Sequence, residues 1–121
     1  VSLEITIIPH GIIVYTLSDF SRQTIEAWGN YVLSNKDNLP NRIRVLYDLR
    51  QCGMATNFVL QYQDRVLDQL SLPEDTRSAY LVGSDHFQKL WTRHIQRGVK
   101  GKIASLRTFT DYDRAVAWLN E

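Results

Sequence analysis

RIRVLYDLRQCGMATNFVLQ, residues 42–61, decides how the rest of the chain is arranged. Ile43, Val45, Leu46 and Tyr47 form an apolar, β-branched run that is too short for a helix and is closed by Asp48, which marks a buried strand. Gln51, Cys52 and Gly53 break that pattern, and from Ala55 onward apolar residues return at helical spacing. The stretch therefore reads strand, loop, helix. A loop so placed lies at the carboxyl end of a strand, where open α/β sheets set their functional surface. No catalytic signature falls within it.

Upstream, residues 3–8 and 12–16 are β-rich runs separated by Pro9, His10 and Gly11, a turn that folds them into an antiparallel hairpin. Ser18 and Asp19 are N-cap types ahead of a helix to about residue 34, whose apolar side carries Phe20, Ile25, Trp28, Val32 and Leu33. Downstream, a second helix over about 55–70 presents Val59, Tyr62, Val66 and Leu70, and residues 78–82 make another strand, stopped by Gly83. Ser84 or Asp85 caps a third helix to about residue 96, with Phe87, Leu90, Trp91, His94 and Ile95 along one stripe. Residues 103–109 supply the last strand, and Thr110 caps a final helix that buries Tyr112, Ala115, Val116 and Leu119. The order β-β-α-β-α-β-α-β-α predicts an α/β fold: a mixed, mostly parallel five-stranded sheet, an N-terminal antiparallel hairpin and four amphipathic helices.

A chain of 121 residues is the size of one domain, expected to span 1–121. Hydrophobic residues at 44% and charged residues at 22% are globular proportions. The formal net charge of +1 supplies no strong field for nucleic acid, which is not expected as a partner. No apolar run is long enough for an integral membrane segment, and the first residues lack the pattern of a secretory signal, so a cytoplasmic location is expected. The lone Cys52 fits a reducing compartment.

The hairpin, the Asp48-Leu49-Arg50 end of the central strand, the step through residues 78–83 and the ending F-T-D-Y-D-R-A-V-A-W-L together resemble SpoIIAA-like STAS domains, over nearly the whole chain. The resemblance implies a small mixed sheet covered by amphipathic helices, and regulation through protein contact rather than catalysis. Anti-anti-sigma members of that group bind a kinase-type anti-sigma partner and carry a phosphorylated serine at the start of the helix after the central strand. Here the segment reads Cys52-Gly53-Met54-Ala55-Thr56-Asn57, so Thr56 is the hydroxyl near the matching place and the regulatory candidate. Thr56 is also a good N-cap. SEC14-type relatives imply the alternative, a carrier of an apolar or lipid-like ligand, with Phe58, Tyr62 and Trp91 as lining.

Other candidates follow from the residues themselves. Asp48 and Arg50 bracket the strand end and are placed to meet a partner or ligand. Ser84 belongs to a strand-to-helix turn whose N–H groups suit an anion. Lys89, Arg93, Arg97 and Lys100 recur at about one helical turn and form either a ridge for an acidic partner or a solvated face. Cys52, beside Arg50 and just before a helix, stands where a thiol pKa is lowered. His86 and His94 are two turns apart with no completing ligand, so no metal site and no cofactor is expected. No nucleophile, base and orienting group stand at a recognised spacing, so no enzyme is expected. Exposed strand edges leave a homodimer open.

Overall fold

The run that closes at Asp48 forms the middle strand of the sheet. In the computed structural model, which describes residues 2–53, 55–83, 93, 97 and 105–121, the strands are β1 (Leu3–Ile8), β2 (Ile12–Leu17), β3 (Arg44–Asp48), β4 (Arg77–Leu81) and β5 (Ser105–Phe109). They lie in the order β1-β2-β3-β4-β5. Only β1 and β2 pair antiparallel, with Ile8 opposite Ile12, and the remaining pairs are parallel. The connecting turn places both His10 (φ 71°) and Gly11 (φ 75°) in the left-handed region. Glycine enters that region without steric cost, and histidine is among the side chains found there more often than most.

Side chains alternate across the sheet and build a core on each face. On one face, Tyr15, Leu17, Val45 and Tyr80 meet α1 (Arg22–Ser34) and α2 (Asn57–Asp68) through Ile25, Trp28, Val59 and Val66. On the other, Ile12, Val14, Leu46, Ala79 and Leu81 meet α3 (Tyr112–Leu119) through Ala115, Trp118 and Leu119. Each fully buried aliphatic side chain contributes about 1.5–3 kcal/mol, so the two cores supply most of the driving force for the layers. Tyr15, Tyr47 and Tyr80 stand in one register across three strands. Their rings are 5.3 Å apart and stacked for Tyr15–Tyr47, and 5.2 Å apart and edge-on for Tyr47–Tyr80. Such pairs add about 0.5–1.5 kcal/mol beyond area burial.

Helix starts differ from expectation by one to three residues. Ser21, not Ser18 or Asp19, caps α1, because the Asp19 carboxylate is occupied accepting from Ser21 N (2.9 Å) and Thr24 Oγ1 (2.8 Å). Asp111, not Thr110, caps α3, its carboxylate accepting from Asp113 N (2.9 Å) and Arg114 N (3.4 Å). A charged acceptor there also meets the positive end of the helix. The expected third helix with Phe87, Leu90, Trp91, His94 and Ile95 lies outside the described residues, apart from the helical Arg93 and Arg97.

One buried side chain runs against the pattern of the sequence. Arg44, only 5% exposed, sits in the middle of the apolar run and points to the α3 side. Its Nε donates to Leu119 O (3.1 Å), and its Nη1 donates to Asp75 O (2.6 Å) and Ile43 O (2.9 Å). Arg77 joins it, donating to Trp118 O at 2.7 Å. Arg42 donates to Glu121 O at 3.1 Å. Three guanidiniums thus meet the orphan carbonyls at the end of α3, where cations are favoured.

Candidate functional site

In this topology the helices run back along the strands, so the carboxyl ends of the parallel strands and the amino ends of α1, α2 and α3 share one rim. The loop after β3 is the middle of that rim. Its base is pinned: Leu49 N donates to Leu81 O (2.9 Å), Cys52 N donates to Leu49 O (3.1 Å), and Leu49, Cys52 and Ala55 are buried. Between these anchors Arg50, Gln51, Gly53 and Thr56 face solvent.

Asp48 and Arg50 are brought together as a two-pronged ion pair. Arg50 donates from Nε to Oδ1 (3.0 Å) and from Nη2 to Oδ2 (2.8 Å), and its backbone N–H adds a third bond to Oδ1 (3.2 Å). The Asp48 side chain is 14% exposed and that of Arg50 48%, so the pair presents its cationic half. Burial pushes the Asp48 carboxyl upward, but the hydrogen bonds and charge of Arg50 outweigh it and hold the pKa below the ordinary value.

Thr56 caps α2. It is exposed, and its hydroxyl accepts from Val59 N at 3.4 Å. The Cys52 thiol reverses expectation. It is buried, donates to Leu17 O at 3.3 Å, and its pKa is pushed up to about 12 by burial first and then by Asp19 and Asp48. The Arg50 guanidinium, expected to lower it, is turned onto Asp48 instead. The thiol is thus a small core residue and no nucleophile at neutral pH.

Two further side chains belong to the rim: helical spacing gave no sign of Arg22, and it set Tyr112 on the buried face of the last helix, whereas at the first position of α3 the ring stays exposed. The Arg22 guanidinium lies 4.2 Å over the Phe58 ring and ties the start of α1 to the start of α2. Tyr112, at the start of α3, is exposed on the same rim, near Arg50. Position next to a cap is the only signal either residue gives in the sequence.

Among the described residues, Phe58 and Tyr62 pack on each other and on α1 and line neither of the apolar spaces under the helices. Their rings pack 5.6 Å apart, and Tyr62 lies directly on Gly29, where a Cβ would collide with the ring. The apolar spaces that the described residues enclose between sheet and helices are small. One, bounded by Phe20, Trp28, Tyr47, Leu49 and Val59 among others, is about 30 Å³, and a second beneath Leu39 and Leu72 is about 50 Å³. Trp28 Nε1, buried at the first of these, has no partner within hydrogen-bond geometry among the described residues. Ser84, Lys89 and Trp91 lie outside the described residues. Arg93 and Arg97 are helical, exposed and one turn apart. Among the described residues no group of three His, Cys, Asp or Glu side chains could hold a metal, and no helix is long and apolar enough to cross a membrane.

No family model and no curated protein matches the chain. A solved structure does: the anti-sigma factor antagonist from Mycobacterium paratuberculosis, with a TM-score of 0.62 over 99% of this chain and 96% of that one, at 14% identity. The fold is that of an anti-sigma factor antagonist. The expected mixed sheet with its N-terminal hairpin is therefore present, reached by a chain with few residues in common.

Proposed function

We propose that the chain is a non-enzymatic regulatory module, one domain over its length, that binds a protein partner through the rim at the carboxyl ends of its strands. The observation that carries this reading is the exposed loop from Arg50 to Thr56, held at its base by buried anchors and built on the fold of an anti-sigma factor antagonist. The partner class is the anti-sigma type named for that neighbour. Arg50 and Tyr112 supply charge and apolar surface, and Thr56 is the regulatory hydroxyl, since a phosphate there would sit at a helix amino end. Cytoplasmic action is part of the same reading. The carrier alternative has no support from the small apolar spaces described above, because drug-sized ligands occupy about 300–1,000 Å³.

Affinity capture from the source cell, repeated with Arg50→Ala and Thr56→Glu, tests the proposal. A partner captured by the unaltered protein and lost with both substitutions is expected. A partner retained by both would move the interface off this rim. Elution volume at several concentrations decides between a monomer and a homodimer.

A further inference from the structure

The opposite end of the sheet holds a second cluster of charge that the partner surface does not use. Arg77 and Ser105 begin β4 and β5 and stand directly opposite each other, and Arg107 follows two residues along on the same face. Both guanidiniums lie against the Trp118 ring, Arg77 at 5.0 Å and Arg107 at 5.4 Å from its centre. Between them is a cleft of about 320 Å³ bounded by Arg77, Ser105, Leu106, Arg107 and Trp118. We propose that this cleft binds a phosphate-bearing small molecule.

Four features support the assignment. First, the guanidiniums are already positioned: Arg77 is fixed by its bond to Trp118 O (2.7 Å), and the indole, itself packed on Phe109, gives both a cation–π platform. Second, charge is left over. Arg107 makes no hydrogen bond or ion pair among the described residues, and the Glu121 carboxylate reaches Arg77 only at 3.8 Å with its side chain 66% exposed. Third, planar guanidinium forks match the oxygens of a phosphate in pairs, and Ser105 adds a hydroxyl. Fourth, the volume lies in the range of small-molecule sites, larger than a bare phosphate needs and fitting a pyrophosphate or small organic phosphate. The buried faces of Trp118 exclude base stacking, so recognition falls on the phosphate.

Inorganic pyrophosphate at constant ionic strength is the probe, with melting temperature and the Trp118 indole N–H resonance as readouts. A saturable rise in melting temperature of several degrees is expected, together with a shift of the Trp118 signal. Arg107→Gln should weaken binding at least tenfold while leaving the unliganded melting temperature in place, because among the described residues its guanidinium serves no fold contact beyond the ring; Arg107→Lys should keep part of the affinity. Arg65→Gln, which removes an equal charge from α2 on the other face, should change nothing. The proposal is overturned if pyrophosphate gives no saturation, if Arg107→Gln binds as well as the parent, or if Arg65→Gln weakens binding equally. Substitutions at Arg50 and Thr56 should leave this binding unaltered, which separates its outcome from that of the partner surface.

Discussion

The two ends of β3 each hold an arginine, and the two do opposite work. Arg44 at the amino end is buried and spends its donors on main-chain carbonyls of Leu119, Asp75 and Ile43. Arg50, past the carboxyl end, is half exposed and paired with one carboxylate. The same side chain is a structural bolt where the chain closes around it and a displayed charge where a loop carries it outward. Context is set by neighbours that arrive from distant sequence: the end of α3 covers Arg44, while nothing described covers Arg50.

That contrast breaks first at Arg44. Arg44→Ala should destabilise the fold by about 3 kcal/mol, because two or more buried carbonyls lose their donors at about 1–3 kcal/mol each; urea unfolding monitored by far-UV circular dichroism measures it. A loss below about 1 kcal/mol would mean that water replaces the guanidinium and the amino end is not a closed core. Gly29→Ala tests the helix layer between the two ends. The new methyl displaces the Tyr62 ring and should cost about 1–2 kcal/mol, and Tyr62→Leu in the same chain should return much of it. Thr56→Ala should cost about 1 kcal/mol by loss of the cap, whereas Thr56→Ser retains both the cap and any regulatory role, so stability and partner binding can be read apart.

Arg50→Ala comes next in size. An exposed ion pair contributes about 0–1 kcal/mol, so its melting temperature should barely move even as partner capture falls. The pH dependence follows from Asp48, whose folded pKa lies below its unfolded value of about 3.9. Stabilisation from the carboxylate is complete above the unfolded value and is lost as pH falls through the folded one. Acid unfolding of Asp48→Asn should therefore be less steep than that of the parent over this range. The smallest effect is at Cys52: at pH 8 the native thiol should resist iodoacetamide and react only once urea unfolds the chain. Rapid labelling of folded protein would show that the loop base opens.

The sheet was legible because its signals are local. The buried run before Asp48, the Pro9-His10-Gly11 turn and the one-sided helices each declare themselves within a few residues. The rim was legible in part. Asp48 and Arg50 are near one another in sequence and stay so in space, and Thr56 is the N-cap its residue type suggests. Arg22 over Phe58 was not, because that contact joins two helices 36 positions apart and depends on how they pack. Cys52 misled for a related reason: Arg50 is its near neighbour along the chain, yet Asp48 claims the guanidinium and Leu17 the thiol. Arg44 was invisible as a core residue, since an arginine in an apolar run gives no notice of carbonyls arriving from 75 positions away.

The tyrosine row has a practical consequence. Trp28 stands edge-on to Tyr47 with ring centres 6.2 Å apart, and Tyr47 in turn touches Tyr15 and Tyr80. Excitation absorbed by any of these phenols passes to the indole as long as β2, β3 and β4 remain side by side. Emission from these three tyrosines will stay dark in the assembled protein and brighten when the strands part, so the chain carries an optical gauge of its own sheet without an added label.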